Sequence, residues 1–370
     1  MKHQISFVGG QLLPVYVGIK EFDPDVIHFI VSEESRPKIG YMKQLLIGKS
    51  IFEKLCNPFD YYSILSACQE VLGKMTKDDE LLLNLTGGTK IMVLTAQSLI
   101  HEKGLSGFYV NQNDTVLMLP SYELRKLTSN VLTHEFLGLG GYKLSKSKIL
   151  SDFNDDDFNS VNAISDFSKR HDKLILQINS KVRKTYDTLY KIPSSGHLDI
   201  NKATTLKWDI NNLSVDLNGS LILDIKSQNV RSLFFHASWW ELIVAKAISN
   251  WAIAKELLIQ CELPYKADDK ITKNEIDVLI NLGSKLIFIE CKSGLVKQDD
   301  INKMRIVKDT YGGIISKSVL VARFKPTPVI LEKCKELNVE VFYIYEGNRQ
   351  VNRLENLVVR LGEIQNKLSV

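Results

Sequence analysis

The sequence predicts an α/β protein with two domains and a mixed connector, and three observations lead to this prediction. The 370 residues exceed the length of one typical domain. Between residues 4 and 119, short apolar runs alternate with stretches of helical periodicity, a pattern typical of a parallel sheet covered by helices. Residues 275–293, called the apolar hairpin below, contain two apolar runs separated by Asn-Leu-Gly-Ser. We place the domains at residues 1–125 and 231–370, with the connector at residues 126–230.

Composition narrows the class of protein without identifying its function. The hydrophobic fraction of 44% is ordinary for a globular protein, and the net charge of +4 permits nucleic-acid binding without arguing for it. No apolar run approaches the roughly 20 residues of a membrane span, and no signal peptide is visible, so we expect a cytoplasmic protein without membrane contact. The 5 cysteines form no Cys-x-x-Cys pair, which favours reduced core thiols over a zinc site or disulfide framework.

The first domain is predicted from its alternating elements. Four buried strands and a closing hairpin are expected at residues 4–8, 26–31, 51–55, 81–85, 107–110 and 115–119. Helices are expected after Pro14 and at residues 32–46, 60–72 and 89–101. Because ligands bind beyond the carboxyl ends of strands in such sheets, the loops at those ends are candidate binding sites.

Two glycine pairs follow predicted strands of this domain. The first glycine loop is Gly9-Gly10-Gln11, and the second glycine loop spans residues 84–90 with Asn84, Thr86, Gly87, Gly88, Thr89 and Lys90 as its candidate ligand-binding residues. Glycines let backbone N–H groups approach an anion, and a helix N-terminus favours negative charge, so the loops indicate a phosphate or nucleotide cradle. The spacing matches neither a Walker A loop nor a dinucleotide fingerprint. Tight turns between strand and helix remain an alternative explanation for both pairs.

The connector is the least informative part of the sequence. Residues 160–190 have an apolar stripe of helical spacing, formed by Ile164, Phe167, Leu174, Ile175, Ile178 and Val182. Residues 206–210 and 221–225 resemble strands. We interpret the charges of Lys181, Arg183 and Lys184 as a solvated helix face.

The apolar hairpin contains three charged groups that interrupt its strands. Asp277 lies in the first strand, and Glu290 and Lys292 lie in the second, where alternation puts them on one face and Cys291 on the other. Buried charges are costly unless they serve a purpose. Two carboxylates suit a hard divalent cation, and a lysine beside them suits the attack of water on a phosphodiester. We therefore predict Asp277, Glu290 and Lys292 as catalytic, with Mg²⁺ or Mn²⁺ held by the two acids and by the backbone carbonyl of Cys291.

Glu241 is a further candidate acid in the helix before the apolar hairpin. Its carboxylate would add a third ligand to the metal and a fourth catalytic residue. Ser238 and Glu241 also fit a capping box, in which the serine starts the helix and the acid three residues later bonds back to it. The sequence leaves both roles of Glu241 open.

The second glycine loop, Asn84-Leu-Thr-Gly-Gly-Thr-Lys90, after the fourth strand of a Rossmann-like sheet resembles a CARF domain, the CRISPR-associated Rossmann fold. The resemblance covers about residues 1–125. It implies that the two glycine loops bind a cyclic oligoadenylate across the two-fold axis of a homodimer. Gly9-Gly10-Gln11 departs from the serine or threonine that many members carry in the first loop.

Asp277, Glu290-Cys291-Lys292 and the order helix–strand–strand–helix–strand resemble the restriction-endonuclease-like PD-(D/E)XK fold. Together, the two resemblances imply a CRISPR ancillary nuclease of type III systems. They imply activation by cyclic tetra-adenylate and metal-dependent cleavage of single-stranded RNA or DNA, or nicking of duplex DNA. Two alternatives remain: a ligand-independent DNA-processing endonuclease, and a non-cutting protein that senses a cyclic nucleotide.

Overall fold

The computed structural model describes residues 1–313 and 316–368 and arranges them around three β-sheets. The α/β class with a Rossmann-like first domain and a nuclease-like last domain is confirmed. Within those residues, no helix combines the length and the apolar character needed to cross a bilayer.

The first sheet has seven strands in the order β3-β2-β1-β4-β5-β6-β7. The strands are β1 (Lys2–Phe7), β2 (Val26–Val31), β3 (Ser50–Leu55), β4 (Glu80–Asn84), β5 (Ser106–Val110), β6 (Thr115–Leu119) and β7 (Leu124–Lys126). Strands β1 to β5 pair in parallel, and β6 and β7 extend the sheet as an antiparallel edge. Because β1 and β4 are neighbours in parallel, the loops at their carboxyl ends meet at one edge of the sheet.

Four helices cover the two faces of the first sheet. They are α1 (Leu13–Phe22), α2 (Ile39–Leu45), α3 (Tyr61–Leu72) and α4 (Lys90–Lys103). Side chains of α1 and α2 share one apolar cluster, and those of α3 and α4 share another on the opposite face. Helix α2 is shorter than predicted, because a 3₁₀ turn at Arg36–Lys38 with Pro37 at its start precedes it.

The middle of the chain contributes helices and a second sheet. Its elements are α5 (Thr133–Leu139), β8 (Lys146–Lys148), α6 (Asp155–Arg170), α7 (Asp172–Thr185), β9 (Gly196–Asn201), β10 (Thr204–Trp208), β11 (Asn212–Leu217), β12 (Ser220–Lys226) and α8 (Val230–Phe235). The predicted apolar stripe of α6 and α7 packs into one cluster, and the three cations of α7 are exposed, as predicted. Three strands of this part, β8, β9 and β11, lie outside the sequence prediction, because polar residues occupy many of their positions.

The third sheet carries the apolar hairpin. Its elements are α9 (Ser238–Ile248), β13 (Glu256–Pro264), β14 (Thr272–Asn281), β15 (Leu286–Lys292), α10 (Gln298–Val307), β16 (Lys317–Phe324), α11 (Pro328–Glu336), β17 (Val339–Glu346), β18 (Arg349–Gln350) and α12 (Asn356–Leu368). The strand order is β18-β17-β16-β15-β14-β13-β8. The predicted order of elements lacked β13, so three antiparallel strands, and not two, follow helix α9.

The first and third sheets share an apolar cluster. Leu286 and Phe288 of β15 pack into the cluster that contains Phe29 and Phe108 of the first sheet. Ile287 and Ile289, which point to the other face of β15, pack into the cluster around α9 and α6. The apolar hairpin is therefore enclosed on both faces, and one of these faces contacts the first domain.

Candidate active site

Glu241 points into the third sheet instead of capping its own helix. Helix α9 begins after Ala237, which has a left-handed backbone (φ 60°), and no side chain caps its first turn. The Ser238 hydroxyl bonds to Ser232 at 2.9 Å, while Glu241 Oε2 accepts a hydrogen bond from Gln260 Nε2 at 3.0 Å. The capping-box alternative for Glu241 is therefore wrong.

Gln260 reaches Glu241 because the backbone of β13 bulges there. The register of β13 against β8 shifts between Ile259 and Glu262, and Gln260 between them has φ 53°, while the pairing with β14 stays in register there. A bulge of this kind redirects a side chain at an active site. Gln260 was not among the predicted site residues, since a strand that was not predicted cannot reveal a bulge within it.

The apolar hairpin brings Asp277 and Glu290 together. The ladder between β14 and β15 ends with Val278 opposite Ile289, so Asp277 and Glu290 come next on the two strands. The backbone N–H of Cys291 donates to Asp277 Oδ2 at 2.7 Å. The carboxyl group of Asp277 is thus fixed against the strand that carries the other two candidate residues.

Lys292 makes two ion pairs at the end of β15. Its Nζ lies 2.8 Å from Glu290 Oε1 and 3.1 Å from Asp300 Oδ1. Asp300 belongs to the first turn of α10, where its other oxygen accepts the backbone N–H of Lys297 at 2.8 Å. Asp300 was also missed. An acid in the first turn of the helix after the Glu-x-Lys strand was the available signal, but such acids are common at helix starts.

Burial and mutual repulsion shape the acidity of the carboxyl groups. Burial, followed by the charges of Glu290 and Glu241, raises the pKa of Asp277 well above its usual value. Burial raises the pKa of Glu241 to about 7, with added repulsion from Glu275 and Glu290. When ionised, the carboxylates of the site carry more negative charge than Lys292 offsets. A bound cation would relieve this repulsion.

The pKa of Lys292 is also raised, which for an amine favours the charged form. Burial works against its charged form, but the charge and hydrogen bond of Glu290, together with Asp300 and Asp277, outweigh burial and raise the pKa of Lys292 above its usual value. Lys292 is therefore a cation at neutral pH.

The donor atoms of the site fit a hard divalent cation. In the part of the chain that the structure describes, no three His, Cys, Asp or Glu side chains stand together as a complete metal site. Asp277 and Glu290 nevertheless offer carboxylate oxygens on neighbouring strands, where Asp277 accepts the backbone N–H of Cys291. Oxygen donors with water in the remaining positions are what Mg²⁺ uses in proteins.

The two glycine loops also meet in the structure. A Cβ atom on Gly9 would lie 3.0 Å from the backbone nitrogen of Gly88, and a Cβ on Gly87 would lie 2.2 Å from the carbonyl oxygen of Phe7. Gly88 itself has φ +84°, which a side chain rarely tolerates. Backbone contact between the loops requires these glycines, so the tight-turn explanation and a shared binding edge are both compatible with the structure.

Several polar groups of the second glycine loop are engaged within the fold. Asn84 is fully buried, donating to the carbonyl of Val15 at 3.2 Å and accepting the N–H of Thr86 at 3.0 Å. Thr89 caps α4 and donates to the carbonyl of Pro58. Thr86 Oγ1 accepts the N–H of Val110 at 3.0 Å. These three residues shape the loop.

The groups that remain open around the loops are few. Gly10, Gln11 and Lys90 are exposed. Lys38 Nζ lies 3.4 Å from the carbonyl oxygen of Gly10, so it adds a cation beside the first glycine loop. The sequence analysis did not select Lys38, because nothing local connects position 38 with position 10.

Two family models match the chain. The family described as the Card1 CARF domain matches residues 4–136, and the family described as the Card1-like endonuclease domain matches residues 228–360. No curated protein matches the sequence. The first match contains both glycine loops, and the second contains Glu241 and the apolar hairpin.

Solved structures resemble the whole chain. Can2 from Sulfobacillus thermosulfidooxidans, solved with cyclic tetra-adenylate, has a TM-score of 0.73 and 18% identity, over 99% of this chain and 100% of that one. Protein VC1899 from Vibrio cholerae has a TM-score of 0.72 and 13% identity, over 100% and 98%. A type III CRISPR defence DNA nuclease activated by cyclic oligoadenylate has a TM-score of 0.61 and 15% identity, over 97% of this chain and 51% of that one. At these identities the likeness shows a common fold.

Proposed function

Since this chain belongs to the family that joins a Card1 CARF domain to a Card1-like endonuclease domain, we propose that it is a metal-dependent endonuclease activated by a cyclic oligoadenylate. The observation that supports this most directly is the meeting of Asp277, Glu290 and Lys292 at adjacent strand ends. Can2 binds cyclic tetra-adenylate, and we propose the same ring as activator here. The substrate class is single-stranded RNA or DNA, with nicking of duplex DNA as a further activity, in type III CRISPR defence.

The residues of the third sheet divide the chemistry among them. Asp277, Glu290 and the Cys291 carbonyl would hold Mg²⁺ or Mn²⁺, with Glu241 as an added acid held by Gln260. When bound, the cation supplies positive charge beside the scissile phosphate. Lys292 is held by two carboxylates, whose charges raise its pKa, so it orients the attacking water and offsets charge on the phosphate.

The first sheet supplies the sensor. The two glycine loops form one edge of backbone N–H groups, and Lys90 at the start of α4 and Lys38 beside Gly10 add two cations to it. A ring of phosphodiesters carries negative charge that such an edge favours. The ring would be shared across the two-fold axis of a homodimer.

One experiment separates this function from its alternatives. The protein is incubated with Mn²⁺ and single-stranded RNA, single-stranded DNA or plasmid, with cyclic oligoadenylates of different ring size or with none. We expect cleavage only when cyclic tetra-adenylate and metal are both present. Equal cleavage with and without rings would instead identify a ligand-independent endonuclease, and ring binding without any cleavage would identify a non-cutting sensor.

Lys90→Ala should weaken activation without affecting the metal site. The side chain is exposed beside Gly88, and loss of one charge-assisted contact to a phosphate corresponds to about a 10-fold weaker Kd for the ring. The matched control is Lys103→Ala, which removes an exposed lysine at the opposite end of the same helix. Titration of ring binding measures the effect, and an unchanged ring Kd combined with lost Mn²⁺ binding would contradict the division into two sites.

Asp300→Asn should slow cleavage through Lys292. The amide oxygen can still accept the N–H of Lys297, but the charge that holds the ammonium group is lost, so we expect about a 10-fold lower kcat with little change in KM. Asp299→Asn is the matched control, because Asp299 is exposed in the same helical turn. A wild-type kcat for Asp300→Asn would show that Glu290 alone is enough to position Lys292.

A further inference from the structure

The turn of the apolar hairpin is held by the first sheet. This turn follows β14 and ends at Lys285, directly before β15. The hydroxyl of Ser284 donates to Asp114 Oδ1, and Lys285 Nζ lies 3.1 Å from Asp114 Oδ2. Asp114 belongs to the short turn between β5 and β6. One carboxylate of the first sheet thus contacts two consecutive residues of the hairpin that carries the candidate active site.

The Asp114 contacts lie at a buried position. The side chain of Lys285 is only 1% exposed, while that of Asp114 is 35% exposed. An ammonium group this deeply buried depends on its partners, and water replaces a lost carboxylate poorly there. The positions of Asp114 and Lys285 relative to each other are therefore fixed more strongly than those of an ion pair at the surface.

A second set of contacts fixes the same turn. The N–H of Val131 donates to the carbonyl of Gly283 at 2.8 Å, and Asn281 Nδ2 donates to the carbonyl of Val131 at 2.8 Å. A Cβ atom on Gly283 would lie 2.6 Å from Asn130 Oδ1, so the two segments approach closely. The turn of the apolar hairpin is therefore fixed to residues 130 and 131, in the segment after the first sheet.

The turn that carries Asp114 is also linked, through Val110, to the second glycine loop. Val110 is the last residue of β5, and its N–H donates to Thr86 Oγ1 at 3.0 Å. The turn that follows is closed by the N–H of Asn111, which donates to the carbonyl of Thr115 at 2.8 Å. Only the four residues of this closed turn separate Val110 from Thr115, and Asp114 is the last of them. A shift of Thr86 therefore displaces the base of the turn that carries Asp114.

Strand β15 of the apolar hairpin links its turn to the candidate active site. Strand β15 runs from Leu286 to Lys292, with β14 paired to it up to Ile289 and β16 paired to it from Ile287 to Lys292. Glu290 lies five residues beyond Lys285, roughly 17 Å along an extended strand. The pairing with β16 continues through Lys292, and the N–H of Cys291 is held by Asp277, so a displacement at the turn is transmitted along a packed strand to Glu290 and Lys292.

We propose that Asp114 is a positioning residue that couples the second glycine loop to the apolar hairpin, so that a ring bound near Thr86 aligns Glu290 and Lys292 for cleavage. This inference rests on the proposed function, since it assigns a route by which the ring regulates the same active site. The coupling uses one carboxylate and two residues of the turn, and Asp114 contacts neither the ring edge nor the metal ligands in the contacts described.

The test uses Asp114→Asn in the full-length protein. The amide keeps the volume of the side chain and an acceptor for Ser284, but removes the charge that faces Lys285. We expect the ring Kd to remain within about two-fold of wild type and the cleavage rate at saturating ring to fall at least about 10-fold, the scale of one coupling free energy. Ring-induced hydrogen-exchange protection of residues 286–292 should be lost as well.

A second variant and a control keep the result interpretable. Ser284→Ala removes the other contact of Asp114 without touching a charge, and should reduce the same two readouts if Asp114→Asn fails to fold. Glu123→Gln is the matched control, because Glu123 is an exposed acid beside β7 that pairs with Arg125. It should leave ring binding, cleavage and exchange unchanged.

The outcomes separate this inference from the function on which it rests. Wild-type protein that binds no ring, or cuts equally without one, would overturn the proposed function and the coupling with it. Wild-type protein that is ring-activated, with both Asp114→Asn and Ser284→Ala activated to the same rate and protected to the same degree, would overturn the coupling alone. A fall in rate caused only by weaker ring binding would also overturn it.

Discussion

Lys292→Ala is expected to abolish cleavage while ring binding stays intact. Its ammonium group lies between Glu290 and Asp300 at the end of β15, and these acids keep it charged. Removal of this cation, which we propose faces the attacked phosphate, should lower kcat by about 1000-fold, the upper range for a single stabilising donor. Single-turnover cleavage with saturating ring and Mn²⁺ measures this loss.

The matched control for Lys292 is Lys297→Ala. Lys297 is exposed five residues further along, just before α10, and its side chain makes no contact that positions Asp300, since the backbone N–H does so. We expect this variant to cut at the wild-type rate. Persistent cleavage by Lys292→Ala would move the active site away from the end of β15. The same result for Glu290→Ala would remove the hairpin assignment altogether.

Asp277→Asn is expected to abolish both cleavage and Mn²⁺ binding without lowering the melting temperature. The amide oxygen can still accept the N–H of Cys291, so the strand contact is preserved. The substitution removes a carboxyl group whose charged form is opposed by burial and by Glu290, so stability has little to lose. We expect a loss of at least about 1000-fold in rate, because a metal site depends on each of its few protein ligands.

The effect of Asp277→Asn is measured by Mn²⁺ binding in electron paramagnetic resonance and by thermal unfolding, alongside cleavage. Asp224→Asn serves as the control, since Asp224 is also a strand aspartate but lies on the exposed face of the second sheet. A variant that loses cleavage but binds Mn²⁺ as tightly as wild type would contradict the role of Asp277 as a ligand and leave it a structural one.

Much of the architecture could be predicted from local sequence patterns. The first sheet, the apolar stripe of α6 and α7 and the hairpin of β14 and β15 follow from apolar spacing at periods of two and 3.6 residues, which neighbouring residues alone produce. Strands β9, β11 and β13 were missed, because polar residues within them weaken that signal. Their strand conformation depends on pairing with distant partners.

In the candidate site, too, some residues could be predicted from the sequence and others could be found only from the structure. The sequence by itself selected Asp277, Glu290 and Lys292 as candidates, because charges within an apolar strand stand out and strand alternation predicts which of them share a face. It also determined both glycine loops, since glycine pairs after strands are a local feature. Only the tertiary structure decided that Gln260 donates a hydrogen bond to Glu241, that Asp300 pairs with Lys292 and that Asp114 contacts the turn before β15. These contacts join residues up to 171 positions apart, and they arise from strand pairing, a bulge and sheet packing, none of which leaves a periodic trace in the sequence.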